Sequence, residues 1–406
     1  MQYPLFPTRP SIPNTLKMID FIKPKALFAA FDLFPSSKGA ATHIHHSILA
    51  LSQFAENTHV FVLGNENLPC FQEEGSIKIH RFNELITNYI ERALAYASEL
   101  EQIIKNTTFE ICHFRDIWSG MAIFSEPHIY KTVFEVNALP SVELLYKYPA
   151  LSSSTQNKII SIENLCLEKA DTIVVPSKTI KNFLIKKHVA ENKIIVIPNG
   201  ADLPNSPKPP RPIKETYIIY FGALQTWQGV DDLIRAFALL RDYENLRLVI
   251  CSSNQPRYSK IYTKLAEKCN VADRIIWNHQ LAKIELNQWI AHALLSVAPL
   301  KATSRNIEQG CCPLKILESM AQGIPVIASS IPSVIEIIND NVNGIIVQPD
   351  RPSELARKIR FLIDFPEQLV TIGQKGQETI KKNYTWEKNY QKLFEVYSKI
   401  YTFTEK

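Results

Sequence analysis

Cys312 to Ser329 reads CPLKILESMAQGIPVIAS, and the order of these residues describes a helix followed at once by a strand. Pro313 opens an apolar-periodic run, Gly323 closes it, and the β-rich stretch Ile324 to Ala328 comes next. Proline suits a first helical turn, whose N–H groups lack intrahelical partners, and glycine suits the left-handed exit. The helix start at Pro313, Leu314 and Lys315 therefore offers the positive end of the helix dipole, and Lys315 adds a full charge, so a phosphate is expected there. Glu318 stands little more than a turn further in, where its carboxylate can accept hydrogen bonds from sugar hydroxyls. Two readings fit the stretch taken alone: a nucleotide-sugar site, or an ordinary α/β helix whose acid complements its dipole. The rest of the chain separates them.

With 406 residues, 46% of them apolar, the chain is long enough for two domains and ordinary for a globular protein. A net charge of +5 is mild and spread along the sequence, so nucleic acid is not an expected partner. The densest basic group, Lys181, Lys186, Lys187, His188 and Lys193, reads as a solvated helix face or as a patch for an anionic surface. Seven cysteines form an odd set with no CxxC spacing, which predicts neither a disulfide framework nor a zinc site and fits a reducing compartment. The first residues carry Pro4, Pro7, Pro10 and Pro13 and no signal-like apolar run, and no stretch is long enough to cross a bilayer. The expectation is a cytoplasmic protein whose membrane contact, if it has one, is peripheral, with the oligomeric state left open.

Short apolar, β-rich runs alternate with helical patterns. The strand candidates are Ala26 to Phe31, His59 to Leu63, Ile77 to Arg81, Glu110 to Phe114, Thr132 to Val136, Thr172 to Val175 and Ile194 to Ile197. Helix-like stretches such as Ala40 to Phe54, Asn83 to Ile104, Asn157 to Lys169 and Ser177 to Lys187 lie between them. Such alternation predicts parallel sheets covered by helices. The stretch 199–215, NGADLPNSPKPPRPIKE, holds five prolines and reads as a linker. Alternation then resumes with Tyr217 to Gly222, Leu246 to Cys251, Arg274 to Trp277, Leu294 to Ala298, Ile324 to Ala328 and Gly344 to Val347. Two consecutive α/β domains follow, with ligands expected beyond the carboxyl ends of their strands.

Chemistry-bearing residues collect at those ends. Asp32 to His46, DLFPSSKGAATHIHH, sets Lys38 and Gly39 at a strand-to-helix turn that a phosphate or sugar can approach closely. No G-x-G-x-x-G is present, which argues against a dinucleotide-binding oxidoreductase. EICHFRDIWSG places His113, Arg115 and Asp116 at one strand end, and TVFEVNALPSV places Glu135 and Asn137 at another, just before a proline turn. Glu135 is a candidate for proton transfer, and both residues are candidates for holding sugar hydroxyls. In the second half, YIIYFGALQTWQGV ends a strand at Gly222, with Trp227 and Gln228 beside it. Arg305 is a candidate partner for a diphosphate.

Taken in order, these blocks resemble the GT-B fold glycosyltransferases, in particular the retaining family 4 type (glycosyl transferases group 1), over nearly the whole chain. The carriers are Lys38-Gly39, IPNGAD at Ile197 to Asp202, FGALQTWQGVDDLIRAF, PLKILESMAQGIPVIAS, Glu336, Asn343-Gly344 and the terminal stretch from Tyr384-Thr385-Trp386 to Tyr397. The resemblance implies two Rossmann-like domains facing each other across a cleft. Residues 1–205 would form the acceptor-side domain, led by a proline-rich segment 1–24, and 206–384 the donor domain. The helix in 385–406 would cross back to the first domain.

The resemblance also implies roles. Glu318 matches the second acid of the E-x7-E signature and is implied to bind the donor ribose. Pro313, Leu314 and Lys315 match the helix start that receives the diphosphate, and Gly39 matches the glycine loop offered to donor and acceptor. Gly222, Gln228, Arg305 and Gly310 join the donor set, Lys38, Arg115 and Asp116 the acceptor side, and His113, Glu135 and Asn137 the catalytic set. The chain departs from the pattern in three places. The first acid of E-x7-E falls on Gly310, with Glu308 two residues earlier, the usual arginine and lysine fall on Ala223 and Gln228, and Asn137 stands where many relatives carry histidine. The implied reaction moves a sugar from an NDP-sugar to the hydroxyl of a carbohydrate or lipid-linked acceptor with retention, with no cofactor and no metal. Two other readings stay open at this point: an NDP-sugar epimerase of the same fold, and a nucleotide-sugar-binding protein with weakened catalysis.

Overall fold

The computed structural model describes residues 23–204 and 207–401. The prolines from Pro4 to Pro13 lie outside the described residues, as do Asn205 and Ser206 of the expected linker. The described chain divides into two compact units, one holding the residues up to Ser36, Ala40–Pro198 and those from Glu387 on, the other Ser37–Gly39 and Asn199–Trp386.

The first unit is built on eight strands: β1 (Lys25–Leu33), β2 (Asn57–Leu63), β3 (Phe71–Glu74), β4 (Ile77–Phe82), β5 (Ile111–Phe114), β6 (Lys131–Glu135), β7 (Thr172–Val175) and β8 (Ile194–Val196). They line up as β3-β4-β2-β1-β5-β6-β7-β8, and every pair is parallel except β3 with β4. The continuous apolar run Ala26 to Phe31 is buried throughout, as expected of a strand covered on both faces. The order reverses beside β1, so the crevice at the carboxyl ends of β1 and β5 is where such a sheet places ligands. The terminal helix Trp386–Ile400 belongs to this unit from Glu387 on, and it buries Tyr390, Leu393, Val396 and Tyr397.

The second unit has six parallel strands, β9 (Thr216–Gly222), β10 (Leu246–Ser252), β11 (Ile275–His279), β12 (Leu295–Ala298), β13 (Val326–Ser329) and β14 (Ile345–Val347). Their order is β11-β10-β9-β12-β13-β14, which puts the reversal between β9 and β12. The loop after β9 and the helix after β12 therefore meet at the switch point of this sheet.

Several local expectations need correction. The strand after Gly323 begins at Val326 because Pro325 cannot donate to the ladder, although its carbonyl accepts from Ser296 N at 2.9 Å. The helical pattern from Asn83 starts as a helix only at Tyr89, where Asn88 Oδ1 accepts the N–H groups of Ile90 and Glu91. Pro140 opens the short helix Pro140–Lys147 instead of making a simple turn. The edge strand β3 has no sequence signal of its own and exists by pairing with β4. The expected linker is packed at its start: Asn199 is buried with its Nδ2 donating to the Cys312 carbonyl at 2.7 Å, and Ala201 bridges Thr385.

Candidate functional site

In the second unit, the helix Leu314–Ala321 starts after Pro313, whose carbonyl accepts from Ile316 N, and no side chain caps it. It ends through Gln322, with Gly323 in the left-handed conformation (φ 70°). Lys315 lies in the first turn, almost fully buried, and its Nζ donates to Gln228 Oε1 at 2.5 Å. The same ammonium sits 4.1 Å from the centre of the Tyr220 ring, an attraction that compensates part of its lost hydration. Burial holds the amine down to about 7, although Cys311 and Glu318 pull the other way. Gly222 takes φ 129°, a conformation that favours glycine, and brings its backbone beside Lys315, since a Cβ there would be in van der Waals contact with Lys315 Cε and Nζ at 3.4 Å. Lys315, Gln228, Tyr220 and Gly222 thus converge at the switch point, with helix N–H groups beside a cation.

Glu318, one turn on, pairs its Oε1 with Lys283 Nζ. Arg305 opens a π-helical turn, Arg305–Gln309, and lays its guanidinium over the Trp227 ring at 5.5 Å while Nη1 donates to Asn306 Oδ1. Gly310 follows with φ 84° and ψ −172°, a region open essentially only to glycine. Its N–H donates to the Arg305 carbonyl at 2.9 Å. The departure from E-x7-E is thus built into the backbone, and Glu308 is exposed beside it. Gly310→Glu is expected to cost about 1–3 kcal/mol of stability without raising activity, to be read by thermal unfolding and turnover of the purified variant.

In the first unit, Glu135 at the end of β6 is 6% exposed and closely surrounded. Arg115 Nε (3.0 Å) and Asn137 Nδ2 (2.6 Å) donate to one oxygen, and Ser47 Oγ (3.0 Å) donates to the other. His113 Nε2 lies 3.3 Å from the carboxylate and His43 Nδ1 3.7 Å. Burial alone would raise its pKa, but Arg115, His113 and His43 together hold the carboxyl well below the usual range. His43 is held near 4 by burial and by Arg115, against the pull of Glu135. His113 is fully buried, and its Nδ1 meets Tyr397 OH of the terminal helix at 2.7 Å. Arg115 also reaches Asp32 at 3.8 Å.

This geometry changes three expected roles. Glu135 stays ionised and enclosed, so it suits holding Arg115 and Asn137 in place and not accepting a proton near neutral pH. His113 has no exposed surface to meet a substrate and acts from behind. Asp116 caps the helix Ile117–Ile123, accepting from Ser119 N and Oγ, and ties down Phe31 N at 2.6 Å. Burial pushes its carboxyl up to about 6 despite these bonds, and both oxygens are committed to the fold instead of an acceptor. Asn137 is partly accessible, the Arg115 side chain is 6% exposed, and Lys38 and Gly39 are exposed at the start of the helix Gly39–Phe54.

Sequence reading missed Lys283, Tyr220, His43 and Ser47, and it gave Tyr397 only as the end of the terminal stretch, with no role at the site. His43 and Ser47 are four apart on one helix, a spacing that puts them on one face and was available in the sequence. Lys283 and Tyr397 meet their partners only through distant segments, and no local signal marks them.

Two family models match in succession: Glycosyltransferase Family 4 over residues 37–204 and Glycosyl transferases group 1 over residues 204–379. An uncharacterized glycosyltransferase of Methanocaldococcus jannaschii is 24% identical over 393 residues, covering 89% of this chain and 95% of that one. Among solved structures, sucrose-phosphate synthase from Thermosynechococcus elongatus superposes with a TM-score of 0.76 at 18% identity, covering 92% of this chain and 98% of that one. Anabaena HepE in complex with UDP-glucose gives a TM-score of 0.72 at 17% identity, covering 93% and 100%. With the two family models matched in succession over residues 37–379 and the fold shared with these solved structures, the chain belongs to the family 4, group 1 glycosyltransferases and has the GT-B fold.

Proposed function

We propose that this glycosyltransferase takes its sugar from a nucleoside-diphosphate sugar and passes it, with retention at the anomeric carbon, to a hydroxyl of a carbohydrate or lipid-linked acceptor. The observation that carries the reading is the convergence of Lys315, Gln228 and Gly222 at the β9/β12 switch point, with Glu318 one helical turn away. A diphosphate fits the cation and the helix start, and the ribose diol fits the carboxylate. That Anabaena HepE is bound to UDP-glucose supports starting with uridine donors.

As the bond to the sugar breaks, negative charge grows on the leaving diphosphate. Lys315 and the first helical N–H groups are already aimed at it, so they can stabilise that charge without rearrangement or a bound cation. The buried, ionised Glu135 argues against a protein base on β6, and the departing phosphate is left to take the acceptor proton. Asn137 and Arg115, fixed by Glu135, would hold hydroxyls of the acceptor. Among the described residues no helix is long and apolar enough to cross a membrane. A cytoplasmic location with peripheral membrane contact belongs to the same proposal.

The test is a panel of NDP-sugars followed by calorimetry, with products examined by mass spectrometry and NMR. Retained anomeric configuration in a transferred sugar, unaffected by chelator, is the expected result. Release of NDP or an epimeric sugar without any acceptor would favour an epimerase, and binding with no turnover across all acceptors would favour a catalytically weakened binder. Glu318→Ala is expected to weaken NDP binding by about 1.5–3 kcal/mol while leaving inorganic pyrophosphate binding nearly unchanged. Equal NDP affinity in the folded variant would refute the ribose assignment.

A further inference from the structure

The pair between Lys283 and Glu318 joins two elements far apart in the second sheet. Lys283 opens the helix Lys283–Ala291, which follows the edge strand β11, whereas Glu318 belongs to the helix that precedes β13. Lys283 is fixed at its helix start by a bond from Ala282 N to the Glu285 carboxylate. Its own side chain remains 45% exposed, while that of Glu318 is 14% exposed. The ammonium has three N–H donors, and among the described residues the structure uses one of them, on Glu318 Oε1, leaving the other carboxylate oxygen for a further donor.

An electrostatic difficulty gives this pair its meaning. A nucleoside diphosphate is a polyanion, and the carboxylate expected to hold its ribose is an anion in the same site. Bringing them together in a partly dehydrated place is unfavourable unless the carboxylate is neutralised. The Lys315 ammonium feels the Glu318 charge but donates to Gln228 and lies over the Tyr220 ring, whereas Lys283 is paired directly with the carboxylate. Desolvation opposes the charge of Lys283, but Glu318 and then Asp202 more than restore it and raise its pKa.

We infer that Lys283 is a positioning residue of the donor site: it neutralises and orients the Glu318 carboxylate, so that one oxygen is presented to the ribose of a nucleoside diphosphate. This rests on the reading of Glu318 as the ribose acceptor. Lys283 acts through Glu318 and has no part in gripping the phosphates.

The experiment compares wild type, Lys283→Met, Lys283→Arg, Glu318→Gln and the Lys283→Met/Glu318→Gln double variant, each titrated calorimetrically with UDP, GDP and inorganic pyrophosphate. For the nucleotide that wild type binds best, Lys283→Met is expected to weaken affinity about tenfold, with a much smaller change for pyrophosphate, and Lys283→Arg to recover most of the loss. In the Glu318→Gln background the Lys283→Met change should add little, because its target charge is already gone. Unchanged or tighter nucleotide binding by Lys283→Met would overturn the inference, and so would full additivity of the two substitutions. Equal losses for nucleotide and pyrophosphate would also overturn it, by assigning Lys283 to the phosphates. If wild type binds pyrophosphate but no nucleotide, it is the ribose reading of Glu318 that fails, and this arm reports it separately.

Discussion

Glu135→Ala is expected to destabilise the first unit by about 3 kcal/mol, the scale for removing one partner from a buried ion pair, and to lower its Tm by roughly 6–12 °C. The cause is the uncompensated Arg115 left behind: that guanidinium side chain is 6% exposed and, among the described residues, keeps only Asp32, at 3.8 Å, as a carboxylate partner. Glu135→Gln should fall between wild type and Ala, because an amide still accepts from Arg115 and Asn137 but carries no charge. Activity is expected to fall in both through misplacement of Asn137 and Arg115, with kcat affected more than donor affinity, since donor binding is assigned to the second unit. A Tm unchanged in Glu135→Ala would show that the network contributes nothing to folding.

The pH dependence has a definite sign. Glu135 has a folded pKa below its ordinary 4.5, so its contribution is present above that value and is lost as the pH falls through the folded pKa. His43 and His45 act earlier. Both are lowered from 6.5 to about 4, chiefly by burial, so over that interval the unfolded chain binds protons that the fold refuses. Asp116, raised to about 6, works in the opposite direction, but it is one group against two imidazoles, so stability of the first unit should already decline as the pH drops from 6.5 towards 4. Chemical denaturation across that range measures it. Constant stability between those limits would contradict the burial of these imidazoles in a neutral state.

Lys315→Met is expected to weaken NDP and pyrophosphate alike, by about 10- to 150-fold, because it removes a charged hydrogen-bond donor from both. High salt should erase little of the deficit, since a buried ammonium is screened weakly. The amine near 7 adds a proton signature. In the empty site at about pH 8 most of the amine is neutral, and an arriving diphosphate favours its charged form, so binding should take up close to one proton. Calorimetry in buffers of different ionisation enthalpy reads this directly. Wild type should show uptake that fades at lower pH, and Lys315→Met should show none. Folding is not expected to suffer: the cost of burying the charged amine is full below about 7 and is relieved as the pH rises towards 10.5, and methionine removes it. Binding without proton uptake in wild type would place the diphosphate elsewhere.

These two residues differ in how readily the sequence reveals them. Lys315 is legible because everything that makes it useful is local: Pro313 before it, the apolar periodicity after it, and Gly323 closing the helix. Glu135 was legible as a strand-end carboxylate but not in its role, because Ser47, His43, His113 and Arg115 come from two other segments. The glycine at 310 shows the same limit. Its place in the E-x7-E spacing can be counted, yet only the backbone at φ 84° and ψ −172° explains why no acid stands there.

The sequence by itself determined the alternation of buried strands and helices, the two-domain plan, and the helix start at Pro313 to Lys315, since all of these follow from periodicity and capping within a few residues. Tertiary structure alone decided which charges are paired. Lys283 meets Glu318 across 35 residues, and His113 meets Tyr397 across 284. Whether a carboxylate is a base, a cap or a scaffold depends on its burial and on donors brought from distant elements, and those quantities exist only once the sheet has assembled.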